Sequence, residues 1–374
     1  MRKTVLRLTA VLLAFCLLPM RASADGEPPH RYSSVLMEAT TFTVLGGTDS
    51  DIPLPVGTLT KLMTVLLTAE ALADGRLTED TPVTAPPAAQ AQRGAVIWLT
   101  AGEQMSVRDL LSGVIIGNAN DAAVTLACRI AGSEQAFTAQ MNAAADRLHL
   151  RQTRFADCTG LSDDNISTAH DIGVICCELL QHDTLIPLFQ TWRSFLREGA
   201  TELVSENRLT RDYEGVLGMK AGHGGASGYT AALAAERDGM RCVSVVLGCD
   251  DPDERFTYAK QLLTNGFRDY YVTTPDFSAE FLKPLPVRCG MQQAVMPEAG
   301  GLRAVAAPDG AELTCTVILP AYAEAPVAAG QPLGTAAFFC GDSLVFEVPL
   351  TASESVGKRT LLSSAGMLLD ILFK

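Results

Sequence analysis

The run Pro55–Gly75, PVGTLTKLMTVLLTAEALADG, constrains this chain more than any other stretch. Leu59, Leu62, Met63, Leu66, Leu67 and Ala69 recur at helical spacing, and Gly75 follows as a stop. A helix apolar around most of its circumference belongs inside a domain, so the fold must wrap around it. Its first turn also carries Thr58 and Lys61, three residues apart and therefore on one face. A hydroxyl beside a buried amine at a helix start is one way to build a nucleophile. An N-cap threonine and a snorkelling lysine account for the same two residues, and the stretch alone leaves both readings open.

The ends bear on compartment. Arg2, Lys3 and Arg7 precede an apolar run over Leu8–Met20, and Ala22-Ser23-Ala24 supplies small residues for cleavage. This is the pattern of a secretory signal over residues 1–24, too short for a good membrane span. Its removal takes away four basic residues and no acidic ones, so the mature chain is more acidic than the formal −13 of the whole. That charge argues against nucleic acid as a general partner. Nine of the ten cysteines remain, none at the paired spacing of a zinc site. Most lie in apolar runs and read as buried thiols, with a disulfide left open and no metal or other cofactor expected.

Residues 33–46 alternate as a hairpin turning at Ala39-Thr40-Thr41. Polar loops fill 76–108, where Ser106 is placed to cap the following helix. That helix breaks at Gly117–Asp121 before a second one over Ala122–Ala131, and further helices are expected over 137–148 and 168–181. Strands then dominate: residues 215–222, then 228–236 and 241–248 around an Asp-Gly turn. The acidic run 249–255 reads as a solvated loop. A helix over Glu254–Asn265 closes the first domain at Gly266-Phe267-Arg268. Asp163, Asp164 and Asn165 read as a loop ahead of the 168–181 helix rather than as a metal cluster. Short apolar runs with Gly and Pro between them over 276–352 predict a small all-β domain. Leu361, Leu362, Ala365, Leu368, Leu369 and Leu372 form one stripe near the end. Such a helix lies on a membrane surface or packs against its own β domain.

Three short motifs punctuate this plan: Thr58-Leu59-Thr60-Lys61, Asn118-Ala119-Asn120 and Lys220-Ala221-Gly222. With the companions Asn120-Asp121-Ala122-Ala123, Ser167-Thr168-Ala169-His170-Asp171, Asn207-Arg208-Leu209 and Asn265-Gly266-Phe267-Arg268, the chain resembles the low-molecular-weight penicillin-binding proteins that act as D-alanyl-D-alanine carboxypeptidases. The family pattern is Ser-x-x-Lys, Ser-x-Asn and Lys-Thr-Gly. Thr58, Asn118 and Ala221 therefore stand where the family has Ser, Ser and Thr. A literal Ser355-Val356-Gly357-Lys358 lies far from the other motifs and is read as coincidence.

The resemblance implies an α/β (α+β) fold: a penicillin-binding transpeptidase-like, β-lactamase-like domain over 25–272, with an antiparallel sheet covered by helices. A β-rich domain over 275–353 and an amphipathic membrane-associating helix over 356–374 would follow. It implies that Thr58 attacks the carbonyl of the penultimate D-Ala, with Lys61 taking its proton. The backbone N–H groups of Thr58 and His223 would form the oxyanion hole. Asn120 would hold the substrate amide, Lys220 would support the proton network, and Gly222 would line the substrate-binding side with Ala221 and His223. Asn118 would occupy the proton-relay position, while Arg268 and Ala221 would meet the terminal carboxylate. The implied partners are peptidoglycan stem peptides ending in D-Ala-D-Ala, with β-lactams as candidate ligands, at the outer face of a bacterial cytoplasmic membrane. The three substitutions point either to a slow carboxypeptidase or to an inactive relative that binds peptidoglycan or acts as a scaffold.

Overall fold

Strand β1 (Ser33–Glu38) alternates so that Val35 and Met37 enter one core and Leu36 the other. The same alternation recurs over residues 231–235 and 242–247. The computed structural model describes residues 32–275, 282–361 and 365. The expected signal segment and nearly all of the terminal helix lie outside the described residues. β1 pairs with β2 (Thr43–Thr48), the hairpin turning at Ala39–Phe42 as the pattern predicts. Downstream, β3 (Val216–Gly224), β4 (Gly228–Arg237) and β5 (Met240–Cys249) complete a five-stranded antiparallel sheet in the order β2-β1-β5-β4-β3.

Helix α1 (Thr60–Ala73) is the apolar stretch singled out above, and Thr60 through Ala69 are all buried. Each fully buried Leu or Met there contributes roughly 1.5–3 kcal/mol, which anchors the turn ahead of it. Around α1 pack α2 (Val107–Ile115), α3 (Asn120–Ala131), α4 (Glu134–Arg147) and α5 (Ala169–Leu179), on the sheet face that carries Val35, Ala232, Ala234, Val243 and Val245. The Ser106 hydroxyl accepts from the Asp109 N–H at 3.0 Å, the predicted cap of α2, and Thr168 caps α5 through Asp171 N–H at 3.0 Å.

The opposite sheet face is covered by α6 (Glu254–Asp269), with Phe256, Ala259 and Leu263 packed on Leu36, Leu233 and Val246. The helix expected to end at Asn265 runs on through Gly266 to Asp269. A Cβ at Gly266 would lie 2.8 Å from Leu36 Cδ2, so the glycine serves close packing onto the sheet rather than termination. The acidic run before α6 is also only partly solvated. Cys249 and Arg255 are buried at its two ends.

The second domain is all-β. Its largest sheet joins β8 (Pro297–Ala299), β10 (Leu313–Ile318), β11 (Pro332–Cys340) and β12 (Ser343–Ala352) in the order β8-β12-β11-β10. Strand β6 (Tyr270–Thr273) directly follows α6 and pairs with β9 (Val305–Pro308), while β7 (Leu285–Arg288) lies in a separate small sheet. The expected first-domain limit at 272 therefore falls inside a strand that the second domain shares. The expected start of the terminal helix at 356 also shifts. Val356 is fully buried, exchanges two hydrogen bonds with Val327 (2.8 and 2.9 Å), and Arg359 N–H donates to Cys289 O at 2.7 Å. Residues 356–359 thus belong to the β domain, Lys358 of the coincidental Ser-x-x-Lys among them.

Among the described residues all nine cysteines are free. Burial pushes the Cys242 and Cys249 thiols up to about 12, which leaves them inert as nucleophiles. No single helix among the described residues is long and apolar enough to cross a membrane.

Candidate active site

Thr58 sits in a single 3₁₀ turn, Gly57–Leu59, that feeds directly into α1. Its side chain lies against the backbone of β3. A Cβ built on Gly222 would fall 2.4 Å from Thr58 Cβ and 2.6 Å from both its methyl and its hydroxyl. Only glycine fits at 222, and the hydroxyl at 58 is held at the edge of the sheet. Gly160 presses on the same turn from the other side, with φ +82° and space for a Cβ closed by Gly57 O.

Lys61 lies one helical turn on and is buried. Its Nζ donates to Thr159 O at 2.5 Å. Burial brings the ammonium down from 10.5 to about 8, with Cys158, Asp157 and Glu206 pulling weakly the other way. The acceptor carbonyl is itself fixed. The Asp157 carboxylate accepts from Thr159 N–H (2.7 Å), Thr159 Oγ1 (3.0 Å), Gly160 N–H (2.6 Å) and Ser162 N–H (2.7 Å), tying the loop into one conformation.

Lys220 enters from β3 and donates to Val114 O at 2.6 Å and Ile115 O at 3.2 Å, the carbonyl-rich end of α2. Burial first, and then the like charge of Lys61, hold it well below the ordinary lysine value. Burial of Lys61 favours its neutral amine, which makes it a competent base.

The loop between α2 and α3 supplies two amides. Asn118 has φ +57°, a left-handed conformation that asparagine tolerates better than most residues. Its Nδ2 donates to Ala221 O at 3.3 Å, bridging the helical layer to β3. Asn120 opens α3, and its Nδ2 donates to Arg93 O at 2.6 Å. The Oδ1 of each is buried without a hydrogen-bond partner, so both present acceptors for a ligand's N–H groups. Asp121 braces this corner by accepting from Ile97, Leu99 and Ala122 N–H groups at 2.9–3.1 Å.

These groups share one cavity of about 250 Å³, lined by Thr58, Lys61, Asn118, Asn120, His223 and the loops 94–95, 159–163 and 224–225. Thr58, Lys61, Asn118, Asn120 and His223 are on its wall as expected. Ala221, Gly222 and Lys220 stand immediately behind them on β3. Arg268 is elsewhere, and its expected role is corrected. It lies at the last turn of α6, two-thirds exposed, paired through 2.6 and 2.7 Å bonds with Asp269, in a separate cavity with Arg237 and Tyr270.

The guanidinium next to β3 belongs to Arg255 instead, one residue into α6. It donates to Gly222 O, to Thr230 O at 3.3 Å and to Pro252 O at 3.1 Å, and stacks near Tyr229 and Phe256. Burial lowers its pKa, with Glu206 opposing. Its position at the end of an acidic run concealed it, because neighbouring Asp250, Asp251 and Asp253 dominate the local pattern. Glu206, Asp163 and Thr159 were likewise missed on the cavity wall. The Asp157-x-Thr159-Gly160 turn signal was the available cue to the last of them.

A mixed fold with an antiparallel sheet, a Ser-x-x-Lys-like turn under its edge strand and a separate β domain defines the serine-type acyl-transfer peptidases that bind penicillin. Comparison with known proteins makes the assignment specific. The family model for D-alanyl-D-alanine carboxypeptidase, peptidase S11, matches residues 22–251, and the penicillin-binding protein 5 C-terminal domain matches residues 305–358. The chain is 30% identical over 367 residues to the D-alanyl-D-alanine carboxypeptidase DacF of Bacillus subtilis, covering 94% of each chain. It is 30% identical to DacD of Escherichia coli, covering 90% of each. Penicillin-binding protein 5 of Haemophilus influenzae superposes with a TM-score of 0.78 at 26% identity, over 87% of this chain and 97% of that one. The ampicillin-bound penicillin-binding protein D2 of Listeria monocytogenes gives 0.57 at 28% identity, over 63% and 96%. This chain belongs to the D-alanyl-D-alanine carboxypeptidase family, a family of serine-type hydrolases of the cell wall.

Proposed function

We propose that the cleft forms an acyl-enzyme on Thr58 with peptidoglycan stem peptides ending in D-Ala-D-Ala, and turns over slowly. The observation that carries this reading is the pairing, in one cavity, of the Thr58 hydroxyl with a Lys61 amine brought to about 8 by burial. Thr58 Oγ1 attacks the penultimate carbonyl carbon and its proton passes to neutral Lys61 Nζ. Collapse breaks the C–N bond and the departing D-Ala amine takes a proton. Water then cleaves the Thr58 ester. The free Oδ1 atoms of Asn118 and Asn120 accept from the peptide N–H groups.

The rate suffers at two points. The β-methyl of Thr58 occupies space beside Gly222 where the carbonyl must approach, and a misplacement near 1 Å costs on the order of 100-fold. Asn118 cannot relay a proton to the leaving amine as a hydroxyl does, a general-acid loss of roughly 100- to 10,000-fold. The second reading, an inactive peptidoglycan binder or scaffold, draws on the same residue, whose amide is committed to bridging the two layers of the cleft. We place either activity outside the cell, with the signal segment exporting the chain and the terminal stripe resting on the membrane surface.

Incubation with a fluorescent penicillin followed by intact mass separates the two. A covalent adduct that Thr58→Ala abolishes is expected for the enzyme. Restoring Thr58→Ser, Asn118→Ser and Ala221→Thr together should raise labelling by at least 100-fold. No adduct with either protein removes Thr58 as a nucleophile.

A further inference from the structure

The side of the cleft that would receive a terminal carboxylate lacks the hydroxyl and arginine expected there and carries instead a carboxylate, within electrostatic reach of Lys61, Lys220 and Arg255. That side is β3, where Ala221 has no hydroxyl to offer and the expected arginine, Arg268, is paired with Asp269 in another cavity. Arg255 stands behind the strand rather than on the cavity wall, and its Nη1 and Nε are spent on the Gly222, Thr230 and Pro252 carbonyls. On the wall itself is Glu206, its side chain 38% exposed, with Oε1 3.9 Å from Nδ1 of His223, the residue that follows Gly222. That separation is beyond hydrogen-bond reach, and the ring offsets the carboxylate only when protonated. Asp163 adds a second acidic group to the same wall, where its Oδ1 accepts from Ala226 N–H at 3.4 Å.

We propose that Glu206 is a specificity-determining residue of this cleft, turning it away from ligands that end in a free carboxylate beyond the scissile bond and toward ligands in which that carboxylate is masked as an amide. An anion entering next to a fixed carboxylate is repelled, and the low dielectric of a narrow cleft strengthens the effect. An amide at the same place meets Glu206 as a hydrogen-bond acceptor instead. The chemistry at Thr58 is unchanged, since the acyl group still passes to the hydroxyl and an amine still leaves. The preferred substrate class is then a D-Ala-D-Ala peptide continued or capped after its last residue. This inference rests on the acyl-enzyme reading proposed above and shifts its substrate from a free to a masked C-terminus.

The test uses the full mature chain and two probes, N,N′-diacetyl-L-lysyl-D-alanyl-D-alanine and its C-terminal amide, with affinities measured by calorimetry. The wild-type protein should bind the amide at least threefold more tightly than the acid. Glu206→Gln, nearly isosteric, should move the acid-to-amide ratio about tenfold toward the acid, the equivalent of ~1.4 kcal/mol. Raising the salt from about 50 to 500 mM should shrink the wild-type preference, as screening of a partly exposed charge requires. A wild-type preference for the acid, or a ratio that Glu206→Gln shifts less than twofold, overturns the proposal while leaving the carboxypeptidase reading standing. Failure of both probes to bind either protein removes that reading and this inference with it.

Discussion

Thr58, Gly222 and Lys61 illustrate how one position decides the meaning of another. Thr58 and Lys61 were legible as a pair from spacing alone, but the sequence could not distinguish a cap from a nucleophile. The structure supplies the difference: Thr58 makes no cap bond, and Gly222 is excluded from carrying a Cβ by the side chain at 58. Asn118 is similar, because its left-handed backbone gives asparagine a local advantage that a motif comparison does not reveal. The lowered pKa of Lys61 carries a pH prediction. Penicillin labelling should rise about tenfold per pH unit below about 8 and level off above it, as neutral amine becomes abundant. Stability moves in the same direction. The folded amine titrates near 8 and the unfolded one near 10.5, so the unfolded chain binds more protons between these values and stability increases with pH across that window. Lys220, also lowered by burial, adds to the rise. Lys61→Met should abolish labelling and flatten part of the increase in urea midpoint between pH 8 and 10. A labelling rate independent of pH from 6 to 9 would exclude Lys61 as the base.

At the level of elements, the starts of α2 and α5 were readable, because Ser106 and Thr168 act locally through one hydroxyl each, whereas α4 begins three residues ahead of its expected start, behind a Ser133 cap. Features set by distant contacts were not readable. Gly266 has the composition of a helix stop and the function of a spacer against Leu36. Arg255 shares an acidic, turn-rich run but is drawn inward by carbonyls of β3 and β4, which no local pattern encodes. The same reasoning identifies the 157–162 loop as a positioning device. Its four hydrogen bonds to Asp157 hold the Thr159 carbonyl that receives Lys61. Asp157→Ala should therefore destabilise the domain by about 2 kcal/mol, the scale of breaking a half-buried hydrogen-bond network around a charged acceptor. It should also slow labelling by at least tenfold in the fraction that remains folded, through displacement of the lysine. Urea unfolding and single-turnover labelling measure the two effects separately. A stability loss with labelling unchanged would show that the loop supports the fold without positioning Lys61.

Across the whole molecule, the two-domain plan was readable from composition, since helix-rich apolar runs give way to short strands after Pro275. The joints were not, because they are made by pairing between segments far apart in sequence. β6 follows α6 without a break and then pairs with β9, and Asp309 N–H donates to Asp269 O at 2.7 Å, so the domains are stitched at this seam. At the other end the β domain claims Val356 through Arg359, which composition had assigned to the terminal helix. This moves the place at which the proposed membrane anchor would be removed. Truncation after Thr360 should leave the β domain and penicillin labelling intact, while shifting the mature protein from the membrane fraction to the soluble one. Truncation before Val356 removes a fully buried side chain and its two bonds to Val327, and should cost about 2–4 kcal/mol in the β domain. Fractionation of cells expressing each form, with urea unfolding of the purified proteins, distinguishes loss of an anchor from loss of fold. Membrane association that survives truncation after Thr360 would assign the attachment to a segment other than the terminal apolar stripe.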